Sequence, residues 1–311
     1  MAHASVRGVY GTSACATLLG GDGLLEITLA LVAGLLIGSF LNVCVFRLPR
    51  DLSVVRPRSF CPHCVETAEE RGLPYQQAAQ SGMLPTYDLI PVVSYLILGG
   101  RCRRCRARIP LRYPLVELAT GFAFAVCVAY FGPSLAALKY SLYSALLITL
   151  IASDFEERIL PDEFTLGGAA AGIVLAAFVP MPVEIGHFLL PLSWGRMALS
   201  VGESVIGAGV TSALIWFLGW AYHKIRHREG LGLGDVKMIA MMGAFIGLSS
   251  TLLAMMLGSL LGSLAGGAYI LIAKKKASEY ELPFGSFLGV AALATAAYVE
   301  IVFKWYSQAG N

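Results

Sequence analysis

An all-α polytopic membrane protein is the fold class this sequence predicts, and three features predict it: overall apolarity, the length of the apolar runs, and the placement of positive charge. Of 311 residues, 57% are hydrophobic and 14% charged, and the mean hydropathy is +0.70. That is too apolar for a soluble domain. The runs also lack the alternation of polar and apolar residues that an outer-membrane barrel needs. A span takes about 20 apolar residues, and such runs lie near 24–46, 113–131, 135–153, 163–180, 198–221, 236–249, 250–273 and 284–305. The expectation is about eight transmembrane helices, with 236–273 divided only by a turn.

Charge orients them. Of the 23 Lys and Arg, eleven fall between Arg47 and Arg112. Cytoplasmic loops carry the positive excess, so this loop, Arg158, the Lys224 to Lys237 group and Lys274 to Lys276 are placed inside. Arg7, Lys139, Arg196 and Lys304 are left outside, nineteen against four. Both termini are then outside. The net charge of +3 reports this topology and no nucleic-acid partner, although basic loops also suit anionic membrane lipid.

The elements follow in order. Met1–Gly23 lacks the basic and apolar regions of a removed signal and reads as a short N-terminal tail. Residues 24–46 form the first transmembrane helix, 47–112 the one extramembrane segment large enough to be a domain, and 113–311 the remaining bundle. In that bundle Gly258, Gly262 and Gly266 recur every four residues, the spacing that lets helix backbones pack closely. The 181–197 segment, with Pro182, His187, Pro191 and Trp194, reads as an interfacial connection on the outer side. His187 is thereby kept away from the cytoplasmic acids.

The 47–112 segment holds four of the seven cysteines, as Cys61-Pro62-His63-Cys64 and Cys102-Arg103-Arg104-Cys105. Cys-x-x-Cys spacing brings both sulfurs of a pair to one ion, and a tetrahedral thiolate set favours zinc. The interval between the pairs is long, and Val65 to Asp88, without clear period, reads as a loop insertion that absorbs it. Disulfides are the competing use, but the charge asymmetry puts the loop in the reducing cytoplasm. A small cytoplasmic four-cysteine zinc-binding domain between helices one and two is predicted, folded largely by its metal. His63 stands behind four thiols, and Cys15, Cys44 and Cys127 read as small apolar residues. Leu89 to Leu98 is too short to span; it lies on the membrane or packs beneath the domain.

Gly232-Leu233-Gly234-Asp235 puts a carboxylate at the mouth of an apolar helix, and Asp154 ends another apolar run in the same way. A charge beside hydrocarbon costs several kcal/mol unless neutralised or hydrated, which makes both acids functional candidates. The run after Asp235 ends near Gly247, before Leu248-Ser249-Ser250. At 1.5 Å per residue it covers roughly 20 Å of a roughly 30 Å core. Either the bilayer thins or Asp235 sits below the surface in a cavity that admits water. Two carboxylates within hydrogen-bond reach share a proton and divide into base and acid, as hydrolysis of a peptide requires. Glu156, Glu157 and Asp162 crowd the same loop as Asp154, and spacing alone leaves open which acids meet. Membrane acids also serve proton- or cation-coupled transporters, though no internal repeat is evident. A non-catalytic zinc-bearing secretion scaffold is a third class.

Several ordered motifs between about 34 and 290 carry a resemblance. Gly232-Leu233-Gly234-Asp235-Val236-Lys237 resembles the Gly-x-Gly-Asp motif of intramembrane aspartic proteases. Asp154 with Leu160-Pro161-Asp162 resembles the partner motif of the type IV prepilin peptidases. Gly38-Ser39-Phe40-Leu41-Asn42-Val43 with Arg47-Leu48-Pro49, Ile90-Pro91-Val92-Val93-Ser94-Tyr95, Arg112-Tyr113-Pro114-Leu115-Val116-Glu117 and Pro283-Phe284-Gly285 are similar to further stretches of that family. The resemblance implies that Asp154 and Asp235 are a catalytic pair. They would cut a short basic leader from prepilin or pseudopilin precursors, after a glycine, on the cytoplasmic side of a bacterial inner membrane. It also implies that a member with the cysteine segment methylates the new N-terminal amine using S-adenosylmethionine. No dinucleotide-type glycine fingerprint accompanies that activity, and no residue is assigned to it. Glu117 reads as a buried hydrogen-bonding residue or a lining of the site. Lys237 either steadies the acids or reaches to the interface. Phe284 and Gly285 border the substrate groove or form the turn that opens the last helix.

Overall fold

The computed structural model describes residues 21–181, 190–191, 195–227, 232–273 and 283–309, and among them every regular element is helical. The α-helices are α1 (Gly21–Arg47), α2 (Pro62–Glu70), α3 (Tyr75–Ser81), α4 (Val93–Ile97), α5 (Arg112–Phe131), α6 (Leu135–Glu157), α7 (Asp162–Phe178), α8 (Arg196–Arg226), α9 (Leu233–Ala273) and α10 (Phe284–Ala309). Cys15, Pro182, His187, Trp194 and Lys274 to Lys276 lie outside the described residues. Among the described residues, five helices, α1, α5, α6, α8 and α9, are long and apolar enough to cross a membrane. The chain is a multi-pass membrane protein. The expected eight spans become these five, the 17-residue α7, and a shorter apolar stretch, Phe284–Tyr298, in α10.

The predicted 236–249 and 250–273 segments form one element with a break. Gly247 has φ 78° and ψ −179°, a conformation that glycine adopts without steric cost. The helix before it is therefore roughly 20 Å long by its rise per residue.

The chain divides into two compact units, Met1–Ala145 and Leu146–Asn311. In the first, α1 and α5 pack at glycine contacts: a Cβ on Gly38 would sit 2.8 Å from Glu117 Cα. In the second, α7, α8 and α10 pack on α9, whose Met238, Ile239, Met241, Met242 and Phe245 are fully buried. Helices α8 and α9 approach so closely that a Cβ on Gly207 would lie 2.6 Å from the Gly243 carbonyl oxygen. Ser204 Oγ donates to the Ala244 carbonyl across the same contact, at 2.7 Å. The small-residue stripe behaves as predicted at Gly258, where a Cβ would meet Leu288 Cα of α10 at 3.0 Å.

The Val65 to Asp88 insertion is a correction. It is not a loop but two short helices, α2 and α3, closed on a small core of Val65, Ala68, Ala78 and Ala79, with Phe60 and Tyr75 against it. No period shows in the residues because each helix is barely two turns long and its buried positions are mostly alanine. Alanine is the best helix former but contributes little to hydropathy. The insertion returns to where it left: Cys61 N–H donates to the Gly82 carbonyl at 3.1 Å and Leu84 N–H to the Ser59 carbonyl at 2.9 Å. That closure is how the long interval between the cysteine pairs is absorbed.

Candidate functional site

The four predicted thiols converge. Cys61 precedes α2, with Pro62 at the helix start, where a fixed φ favours initiation. Cys102 and Cys105 lie on a tight turn in which Cys102 N–H donates to the Ala107 carbonyl and Arg106 N–H to the Cys102 carbonyl. The Sγ atoms of Cys61 and Cys105 are 3.7 Å apart and those of Cys64 and Cys102 4.0 Å. All four ligand atoms lie within 4.8 Å of one another. Zinc–sulfur bonds of about 2.3 Å in a tetrahedron require sulfur separations of about 3.8 Å, so the set is compatible with zinc. None of the four is in a disulfide.

Burial pushes the Cys61 thiol up and the Cys64 thiol up to about 11. Cys102 is buried too, but the N–H groups of Cys105 and Arg104 hold it below the ordinary thiol range. A cation among four such sulfurs would reverse the cost of ionising them. Asp88, buried, fastens this knuckle: its carboxylate accepts from Arg103 Nε at 3.0 Å and from the Arg103 terminal nitrogen at 2.7 Å. Asp88 and Arg103 also line a cavity of about 320 Å³ with Met83, Leu84, Pro85, Tyr87 and Arg104.

The two acids singled out in the sequence both lie in the second unit. Asp154, 6% exposed, sits near the end of α6. Its Oδ2 accepts the Ser286 N–H at 2.6 Å and the Ser286 hydroxyl at 2.9 Å. Ser286 lies in the first turn of α10, where backbone N–H groups have no partner in the helix and attract anions. Gly285 makes the approach possible, since a Cβ there would stand 3.1 Å from Asp154 Cγ. Asp235, half-buried in the first turn of α9, lies within Coulombic range of Asp154. Leu160 joins the two sides, because added Cβ atoms at Gly234 and Gly285 would both meet its side chain, at 3.2 and 3.3 Å.

The neighbouring acids are placed differently. Asp162 is exposed and holds Lys237 Nζ at 2.7 and 2.8 Å. Glu156 is exposed and Glu157 half-buried. Lys237 therefore ties the start of α7 to α9 through Asp162. Sequence reasoning missed Ser286; the signal was its place directly after the Pro283-Phe284-Gly285 motif. In the first unit, Glu117 accepts the Val92 N–H at 2.7 Å, and the apolar Ile90, Val93, Leu96 and Ile97 around α4 remain exposed.

A multi-pass helical protein with acids at glycine-rich helix ends and a cluster of four thiols is the class that fold and site define. Residues 32–71 and 78–131 match the Bacterial Peptidase A24 N-terminal domain, and residues 141–267 match the Type IV leader peptidase family. A prepilin leader peptidase/N-methyltransferase of Burkholderia pseudomallei is 33% identical over 299 residues, covering 87% of this chain and 85% of the relative. The type 4 prepilin-like proteins leader peptide-processing enzyme of Escherichia coli O78:H11 is 32% identical, covering 88% and 94%. A prepilin leader peptidase/N-methyltransferase of Aeromonas hydrophila is 30% identical, covering 91% and 94%. The chain belongs to the type IV leader peptidase family. No solved structure matches it.

Proposed function

We propose that the chain is a membrane aspartic endopeptidase that removes the leader of type IV prepilins or pseudopilins and N-methylates the new N-terminal residue. Asp154 and Asp235 are the catalytic pair, and the observation that carries the reading is their convergence at the starts and ends of three helices. Two such carboxylates share one proton. Asp154 Oδ2 accepts the Ser286 N–H, which holds the Asp154 carboxyl oriented within the pair. The ionised member takes a proton from water as it attacks the scissile carbonyl. The protonated member donates to the carbonyl oxygen and later helps protonate the leaving amine. The break at Gly247 supports a half-length helix that opens the site to water within the membrane.

Cys61, Cys64, Cys102 and Cys105 hold one structural zinc, since four thiolates leave no open position. The methyl donor is S-adenosylmethionine, which supplies an electrophilic methyl group. The cavity beside the second knuckle fits it in chemistry, with the Tyr87 ring for a base and Arg104 for a carboxylate. Residues 47–112 serve as the metal-binding domain and 113–311 as the protease bundle, in a bacterial inner membrane with both termini outside and the zinc domain and acids cytoplasmic. The test is purified protein in lipid with a prepilin precursor, with and without S-adenosylmethionine, and the products weighed. Leader loss in both, and a gain of one methyl group only with the donor, is expected. An intact precursor would end the reading.

A further inference from the structure

Three features of the first unit serve neither the thiol cluster nor the acid pair. Val92 has φ 61° and ψ −48°, an outlier for a β-branched side chain and a mark of a functional constraint. Its N–H goes to Glu117 Oε2 at 2.7 Å. Glu117 also accepts from the Ser39 hydroxyl, and no cation among the described residues pairs with it. Asn42, 1% exposed, donates Nδ2 to the Tyr113 carbonyl at 3.0 Å, while its buried Oδ1 has no hydrogen-bond partner.

Ser39 and Asn42 are three apart on α1, and Tyr113 and Glu117 four apart on α5, so each pair shares a helix face. The faces meet at Gly38. A glutamine would anchor Val92 as well as a glutamate does. A buried carboxylate without a counter-charge, on the same paired helix faces as an amide oxygen without a donor, is costly as mere scaffolding. When Glu117 is ionised, both groups are acceptors. What satisfies them together is a cationic donor.

We propose that this cluster binds the α-ammonium left by leader cleavage, and that Glu117 is the base for its methylation. The proposal rests on the methyltransferase reading above. Glu117 takes one proton from the ammonium, and the freed nitrogen lone pair bonds to the methyl carbon of S-adenosylmethionine. The carbon–sulfur bond breaks with its electron pair kept by sulfur, leaving S-adenosylhomocysteine and a methylammonium, and the proton on Glu117 passes to water. Tyr87 and Asp88 line the cavity assigned to the donor. Val92 follows Asp88 by four residues, so cavity and amine site lie within about 14 Å along the chain.

The experiment uses the full-length protein in lipid, wild type and Glu117→Gln. Precursor cleavage, zinc content and methylated product are measured together. Binding of a synthetic mature N-terminal peptide, with its α-amine free or acetylated, is measured without donor. Glu117→Gln is expected to keep cleavage and zinc and to lose methylation about 100-fold. Wild type is expected to prefer the free amine at least tenfold, and the variant to lose that preference. Methylation within threefold of wild type, or an unchanged preference, overturns the proposal. If wild type itself never methylates, the underlying reading fails while the amine preference still decides this site. Should Glu117→Gln lose zinc or cleavage, Asn42→Ala replaces it, leaving the Val92 anchor in place. A threefold or greater fall in amine preference is then expected, and no fall overturns the proposal.

Discussion

The thiol cluster and the acid pair are assembled by opposite means. Each half of the thiol cluster is a local turn, Cys61 to Cys64 and Cys102 to Cys105, and the intervening chain closes on itself before delivering the second half. The acid pair has no local part: Asp154 is at the end of α6, Asp235 at the start of α9, and the donors of Ser286 come from α10. A local turn fixes ligand geometry by backbone conformation, and an ion then holds the turns together. A pair drawn from helix ends is only as well placed as the packing of those helices. Removing a ligand should therefore unfold its surroundings, whereas removing an acid should leave the bundle intact and stop the chemistry.

The largest expected effect tests the second half of that contrast. Asp154→Asn and Asp235→Asn should each lower leader cleavage by about 1,000-fold, within the range for loss of a general acid or base. Zinc content and helical circular dichroism should be unchanged. Near-normal turnover in either variant would break the dyad and direct attention to Glu156 and Asp162.

Next comes the other half. The purified protein should carry about one zinc per chain, and Cys61→Ser with Cys64→Ser should remove it. Methylation should then fall about 100-fold while cleavage stays within about tenfold, read as the ratio of unmethylated to methylated cleaved product. A zinc-free variant that methylates fully would place the methyl-donor site outside the cysteine segment.

The same contrast decides what was legible in the sequence. The knuckles were, because Cys-x-x-Cys is a spacing and needs no neighbours to be understood. Gly247 was legible as the end of an apolar run, though a glycine inside a membrane helix more often marks packing, as Gly258 does. The proposed pairing of Asp154, rather than Glu156, Glu157 or Asp162, with Asp235 was not legible from spacing, since it depends on how α6, α9 and α10 pack; only family motifs pointed to it. Ser286 was invisible because serine at a helix start is ordinary. The α2–α3 closure was invisible because alanine buries without announcing itself. Val92 was invisible because nothing in the side chain forecasts a positive φ.

Ser286→Ala should sharpen the account of the acid pair with a smaller effect. It removes the hydroxyl donor to Asp154 Oδ2 and leaves the backbone N–H in place. A hydrogen bond to a charged group is worth about 1.5–3 kcal/mol, and one of two donors remains, so cleavage should fall about tenfold, chiefly in kcat. A change confined to KM would show that Ser286 contacts substrate rather than positioning Asp154.

The smallest expected effect separates two roles for Lys237. Its ammonium lies 2.7 Å from Asp162 Oδ1, in a pair with both partners at least partly exposed. Such pairs contribute about 0–1 kcal/mol, because water and salt screen them and two long side chains must be held still. A double-mutant cycle with Lys237→Met and Asp162→Asn should therefore give a coupling below about 1 kcal/mol in thermal unfolding. Each single variant should cleave within about threefold of wild type. If Lys237 instead sets the charge around Asp235, then Lys237→Met alone would slow cleavage more than tenfold while Asp162→Asn would not. The two variants part only in that case, because a tether is lost equally from either end. Equal, small losses would assign Lys237 to holding the start of α7 against α9, and the acid pair would need no cation of its own.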